Sequence, residues 1–483
     1  MIRFKTIFRL VGVLLGIESL MLAISAGVSY YYQDDALQSF LISTLITSVA
    51  GLTLFFIGHN APRQFTRRDG YVLVTFSWLA YTIFGTLPYL IGGHIPNVSD
   101  AFFESMSGIT STGSTILTDI DSMPHGILFW RCFTQWLGGL GILMFTLAIL
   151  PIFGSRSLQV FAAEVSGPTR SKVTPRIGVT AKWLWSLYAG FTVIVFGLLL
   201  LGGMSPFDSI CHAFSTTCTG GFSTHQESIG YYHSAYIEYV ITLFMFICGI
   251  NFNLQLMFLQ RKFRKFSDDT ELRFYLCSVI GLTLIITLIL FARTGMGGEE
   301  AFRKALFQVV SLHTSSGLAT SDIMTWPAVG WGLLIIPMMI GACAGSTSGG
   351  MKMIRWVVLM KTVKNEFRHI LHPYAVLPVR INKQAVAPQL ISTVMGFTML
   401  YFIIVVACTL IFMVMGLPFV EAVGCVVSPL SNMGPGLSSS GHEFQWHLLP
   451  AAGKWLVSFL MLLGRLELFS VLILFNPSFW NRN

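Results

Sequence analysis

The sequence predicts an all-α polytopic membrane protein: four tandem repeats of span, short helix, polar tract and span, preceded by an extra N-terminal helix pair. Three observations predict it. Of 483 residues, 54% are hydrophobic and 11% charged, where a soluble domain carries about a quarter charged residues. Runs of about 20 apolar residues, enough to cross a hydrocarbon core of about 30 Å, recur along the whole chain. Between some of them lie apolar stretches of about a dozen residues, too short to cross at roughly 1.5 Å per residue, each running into small polar residues.

In chain order, the N-terminus is basic (Arg3, Lys5, Arg9) and then apolar, which raises the possibility of a signal peptide. The run continues to Tyr30 and a second span follows at once, so a retained first helix is expected. Spans read at 8–31, 37–58, 71–92, 126–152, 179–203, 232–258, 271–293, 327–363 (interrupted), 388–416 and 449–476. The short apolar stretches are 100–110, 207–216, 301–313 and 419–430. Such segments read as re-entrant half-helices, tolerated at membrane depth only inside protein or beside water. The resulting units are 1–70 for the helix pair, then 71–155, 156–262, 263–383 and 384–483 for the repeats. Internal repetition of this kind governs the reading of the whole chain.

Each short stretch ends in a hydroxyl-x-x-Gly tract: TSTG (Thr110, Ser111, Thr112, Gly113), TCTG (Thr217, Cys218, Thr219, Gly220), TSSG (Thr314, Ser315, Ser316, Gly317) and SNMG (Ser431, Asn432, Met433, Gly434). One such match carries little weight; four, with glycines 97 to 117 residues apart and each after a short apolar helix, form a pattern. Each short helix also has an acid near its start: Asp100, Asp208, Glu299 with Glu300, and Glu421. A carboxylate there complements the positive helix end and is expected to cap its free amides. The opposite helix ends then converge with the tracts on one spot.

An alkali ion stripped of water needs several oxygens at fixed distance, and carboxylates would hold it too tightly. Main-chain carbonyls supply such oxygens when several loops replace the hydration shell, and glycine permits the backbone angles required. No Asp or Glu occurs in any tract. The residues therefore point to a monovalent cation.

The span, pore-helix, filter, span unit, with one filter glycine per repeat, resembles the TrkH/TrkG/KtrB superfamily of potassium transporters over essentially the whole chain. The extra N-terminal pair is similar to its TrkH and TrkG branch. That resemblance implies a central pore and potassium uptake without fuel, the membrane potential supplying about 2.3 kcal/mol per charge per 100 mV. It also implies one pore per subunit of a homodimer in the bacterial inner membrane and a cytosolic nucleotide-binding TrkA-type regulatory ring. Asn432 and Met433 depart from a symmetric filter, so the preference for potassium rests on the resemblance.

The span after the third tract is interrupted by GACAGSTSGG at 341–350, where each glycine costs a helix about 1 kcal/mol relative to alanine. A plain connecting loop and close helix packing are both open on the residues alone. The resemblance implies an intramembrane gate there, comprising Gly341, Gly345, Ser346, Thr347, Ser348, Gly349 and Gly350. Arg465 lies inside the last apolar segment, at a depth where a charge is costly and marks a candidate functional site. Glu467, two residues on, cannot face it on a helix, so its partner is expected from another helix, or it faces water. The resemblance places it in the pore beneath the filter, beside the gate.

The net charge of +8 sits in a few loops: Arg63, Arg67 and Arg68; Arg156, Arg170, Lys172, Arg176 and Lys182; Arg261, Lys262, Arg264 and Lys265; and a set from Lys352 to Lys383. These loops alternate with neutral or acidic ones, the positive-inside pattern of an inserted protein. They read as cytoplasmic, beside a lipid bilayer and with both termini on that side, and nucleic-acid binding is not expected. Eight cysteines without a CxxC pair read as reduced packing residues. His369 and His372 read as a surface pair, and His212 and His313 as packing or hydrogen-bonding residues. No phosphate loop, dinucleotide fingerprint or Ser–His–acid set is placed where it could assemble, so neither an enzyme nor a covalent cofactor is expected; potassium is the bound and carried ion. Symport with H+ or Na+ is the alternative, left open by Glu104 and Glu467.

Overall fold

A computed structural model describes residues 2–59, 66–149, 177–438 and 444–481, without the side chains of 67, 140, 142–149 and 177–181. The expected unit boundary at 155/156 and the basic residues Arg63, Arg156, Arg170, Lys172 and Arg176 lie outside the described residues. Among the described residues, six helices are long and apolar enough to cross a membrane: Phe4–Tyr32, Leu37–Ile57, Arg68–Ile91, Lys182–Leu201, Thr270–Thr294 and Pro388–Val414. In the second, only 22% of the most apolar stretch is buried, and in the last three 28%. So large an exposed apolar surface faces lipid, not water.

The first two helices pack through small residues: a methyl group added at Gly12 would sit 2.6 Å from Gly51 O, the close approach that glycines allow between membrane helices. This pair docks on the first repeat, where Tyr81 Oη donates to Leu14 O at 2.9 Å. Among the described residues the core has two large clusters beside smaller ones. One joins the N-terminal pair to the first and fourth repeats; the other joins the second and third.

The four re-entrant helices are Val98–Ile109, Pro206–Cys218, Gly298–His313 and Phe419–Leu430. Asp100, Asp208, Glu299 with Glu300, and Glu421 all fall in the first turns. The expected capping role is corrected. Asn97 caps the first helix by accepting from Ser99 N at 2.9 Å, and Ser205 caps the second by accepting from Asp208 N at 3.0 Å. In these two helices the residue just outside the first turn takes the free amide, and Asp208 accepts from the capping Ser205 Oγ at 2.8 Å. Asp100 instead pairs with Lys454 at 2.6 Å. Glu299 and Glu300 pair one turn on, with Arg303 and Lys304.

The second span of every repeat is broken. His125–Ile149 contains Gly141 at φ 75° and ψ 140°. Ala235–Cys248 and Phe252–Leu259 meet at 99°, and Ala451–Arg465 and Phe469–Phe475 at 110°. Ala328–Ile340 and Met353–Leu371 are separated by a loop. Only this last interruption is expected from the sequence; 126–152, 232–258 and 449–476 read as continuous because they are predominantly apolar, with only scattered polar residues. The second break had a local signal, since Asn251 starts a new helix by accepting from Asn253 N at 2.8 Å.

Glycines ahead of these breaks let the spans touch the re-entrant helices. A methyl group at Gly138 would run into Ile109 O, and one at Gly464 into Leu430 O. Gly138→Ala should therefore destabilise the fold by about 1–3 kcal/mol through overpacking. Thermal unfolding of the detergent-solubilised protein checks this, and an unchanged midpoint would contradict the contact.

Candidate functional site

All four re-entrant helices end in the same way. Ser111, Thr219, Ser315 and Asn432 adopt left-handed φ of 53°, 53°, 54° and 50°. The next amide in each returns to a serine carbonyl five residues back: Thr112 to Ser107, Gly220 to Ser215, Ser316 to Ser311 and Met433 to Ser428, at 2.8 to 3.0 Å. This is the Schellman closure of a helix C-terminus, normally made with glycine in the left-handed position. Here short polar residues take the position, a conformation costing an L-residue roughly 1–2 kcal/mol.

That closure corrects the register of the second tract. The residue two beyond each left-handed position is Gly113, Gly221, Gly317 and Gly434, so Gly221 rather than Gly220 is the counterpart of the other three. Thr217 still belongs to the helix, its Oγ1 donating to Ala213 O at 2.8 Å. The four segments SGITSTG, STTCTGG, SLHTSSG and SPLSNMG share Ser-x5-Gly. This serine signal was present in the sequence and would have fixed the register.

The tracts close a circuit. A methyl group at Gly113 would collide with Gly220 O, one at Gly221 with Ser316 O, and one at Gly317 would lie 3.0 Å from Gly434 N. One at Gly434 would lie 2.8 Å from Gly113 O. First meets second, second third, third fourth, and fourth first, main chain against main chain. On one side a cavity of about 800 Å³ opens onto Gly113, Gly221, Gly317 and Gly434.

Side chains behind the circuit fix it. Gln135 donates to Gly220 O at 2.6 Å and accepts from Phe222 N at 3.1 Å. Asn432 Nδ2 reaches Thr112 Oγ1 at 3.1 Å and Met461 O at 2.8 Å. Arg131 and Glu104 form a fully buried pair at 2.8 Å. Glu104 also accepts from Thr115 Oγ1 and Ile116 N. Arg131 donates to Ser223 O at 3.3 Å and lies 4.1 Å from the Phe222 ring centre. The pair thus ties together the segments that follow the first and second tracts, a role the sequence reading did not assign. Glu467 is occupied as well, in an ion pair with Arg355.

On the other side lies the 341–350 loop. Thr347 Oγ1 is 3.1 Å from Thr219 Oγ1, Gly349 N donates to Ser315 Oγ at 2.5 Å, and a methyl group at Gly349 would meet Ser431 O. Gly341, Gly345 and Gly350 have φ of 72°, 74° and 77°, which side chains would resist. Ser346 and Ser348 hydroxyls pair at 2.9 Å. Arg465 donates to Thr347 O at 2.9 Å, and to Gly138 O and Gly139 O, at 2.5 Å for the latter. Its partners are main-chain carbonyls, two of them on the helix His125–Ile149, so the expected partner from another helix is there and is not a carboxylate. The break at Gly141 leaves those carbonyls without their helical amides.

The two histidines of the re-entrant helices are hydrogen-bonded within the protein, His212 to Asp208 O and Ser223, and His313 to Ser278. His369 and His372 are exposed. All eight cysteines are unpaired, and no metal-binding group of His, Cys, Asp or Glu exists among the described residues.

Comparison with known proteins agrees with this architecture. The family model for TrkH, described as cation transport protein, matches residues 36–482. The chain is 36% identical over 481 residues to the Trk system potassium uptake protein TrkH of Halomonas elongata, covering 99% of both chains. It is 37% identical over 482 residues to that of Escherichia coli strain K12, again covering 99% of both. The crystal structure of the potassium transporter TrkH from Vibrio parahaemolyticus superposes with a TM-score of 0.89 at 35% identity, covering 99% of this chain and 100% of that one.

Removing one member of a buried ion pair strands the other, at a cost of about 3–5 kcal/mol. Glu104→Ala should therefore lower the thermal midpoint well beyond Glu467→Ala, whose pair is partly exposed. Equal midpoints would show that the buried pair does not hold the circuit.

Proposed function

This chain belongs to the TrkH family of cation transport proteins, and on that basis we propose that it is a gated potassium pore driven by the membrane potential. The circuit of four tracts carries the reading. Their main-chain oxygens replace the hydration shell of a potassium ion, and the tracts contain no carboxylate to trap it. The filter comprises residues 110–113, 218–221, 314–317 and 431–434. The choice of potassium over sodium follows the names of the relatives.

The 341–350 loop is the gate, pressed against the cytoplasmic face of the filter and held by Arg465. The positive-inside pattern sets the basic segments 261–265 and 352–383, with both termini, in the cytoplasm of the bacterial inner membrane. A TrkA-type cytosolic ring moves the gate, and the working unit is a homodimer with one pore in each subunit.

Reconstitution of the protein alone under opposed K+ and Na+ gradients tests this. The reversal potential should follow potassium, whereas one that tracks the proton gradient would favour symport. Gly221→Ala should lower flux by about tenfold or more, since the position combines φ of 90° with a neighbouring carbonyl, a strained geometry for any side chain. Gly220→Ala should be milder, because Gly220 is not among the residues of positive φ and the added methyl meets side-chain atoms, Gln135 Oε1 at 2.6 Å and Cys218 Sγ at 2.7 Å, rather than main chain. The reverse order would return the register to Gly220. Deleting residues 346–349, or Arg465→Ala, should raise flux through the isolated protein; flux at the wild-type level in both would remove the gate.

A further inference from the structure

The gate loop has a base as well as a tip: main-chain bonds from Cys343 N to Gly249 O at 3.1 Å and from Phe252 N to Gly345 O at 3.0 Å tie one side of the base to the second repeat, and one side chain from another helix bridges its two ends. Helix Met353–Leu371 leaves the loop at Lys352, which has φ of 72° and supplies no side-chain cap. The first amides of a helix need acceptors. Met353 N finds Ala342 O at 2.9 Å, and Ile354 N finds the Glu271 carboxylate at 3.1 Å. The same Oε1 accepts from Ala344 N, at the other end of the loop, at 2.6 Å. Glu271 is buried, 7% exposed, in the first turn of Thr270–Thr294. An acid there serves the foreign helix as a cap in trans, favoured by that helix's positive end.

The neighbouring turn receives a second load. Asn382, at the tip of the hairpin Arg380–Ile381 and Gln384–Ala385, donates to Asp269 Oδ2 and accepts from Thr270 N, both at 2.8 Å. The hairpin is joined to helix Met353–Leu371, where Lys361 donates to Arg380 O at 2.8 Å and Asn365 to Leu377 O at 2.9 Å. Helix, hairpin and residues 269–271 therefore form one block, and the loop leaves it through Glu271.

We infer that Glu271 is the positioning residue that locks the base of the 341–350 loop to this block, so that motion of the hairpin and helix is passed to the loop. The inference rests on reading the loop as the gate. Its chemistry is the double acceptance of amides by one oxygen, which glutamine can retain and alanine cannot.

The test measures potassium flux in proteoliposomes at fixed potential for the full-length chain, Glu271→Ala, Glu271→Gln, deletion of 346–349, and the deletion combined with Glu271→Ala. Glu271→Ala should raise flux on the order of tenfold, the scale of losing an acceptor shared by two buried amides. Glu271→Gln should fall back toward the wild type, and Glu271→Ala should add nothing to the deletion, as expected for residues acting through one element. Wild-type flux in Glu271→Ala beside raised flux in the deletion overturns the lock and leaves the gate standing. An effect fully additive with the deletion also overturns it.

Hydrogen exchange on the wild-type protein decides the matter if the alanine variant does not fold, or if the deletion leaves flux unchanged and the gate reading itself fails. The amides of Ala344 and Ile354 should exchange more slowly than those of 346–348. Equal rates overturn the lock.

Discussion

Everything at the centre of this protein follows from one requirement: four main-chain segments must touch around an axis with no side chain between them. Glycine is needed at 113, 221, 317 and 434 because a Cβ at each would strike or crowd a backbone atom of the next tract. The approach angles require each re-entrant helix to stop abruptly, which puts Ser111, Thr219, Ser315 and Asn432 in left-handed geometry. The Schellman bonds then repeat because one local problem has been solved four times. Spans come close enough to support these ends only where they carry glycine, as at Gly138 and Gly464.

Much of this was legible in the sequence. The spans, the short helices, the acids in their first turns and the interruption at 341–350 follow from hydropathy, length and glycine content. The second tract was misread by one residue because TCTG matches a hydroxyl-x-x-Gly template while the backbone turns one position later. The serine six residues ahead of each glycine fixes that position, and it is easily overlooked in so hydroxyl-rich a stretch. The bends at 249–251 and 466–468 are missed by hydropathy, since a single Asn251 or Glu467 barely lowers the mean of the apolar stretch around it.

Polar contacts deep in the fold were legible only as single residues. Glu104 and Arg131 are 27 positions apart, and nothing in their spacing announces a pair. Once the first re-entrant helix lies beside the next span, they meet with both side chains fully buried. A buried pair of this kind adds little stability over apolar packing, but leaving one partner alone is costly. Its effect is geometric: the chain segments that follow two tracts are pinned to a common point. Gln135 serves the second tract likewise, meeting one carbonyl and one amide that the turn leaves over.

The interrupted second spans carry a consequence for how the molecule can move. A continuous helix transmits a push along its whole length, and four of them would convey any tilt at one end straight into the ring of glycines. With each one severed beside that ring, the part of the molecule on the 341–350 side is mechanically decoupled from the part on the cavity side. Segments beyond the breaks can shift while the ring of main-chain contacts keeps its dimensions.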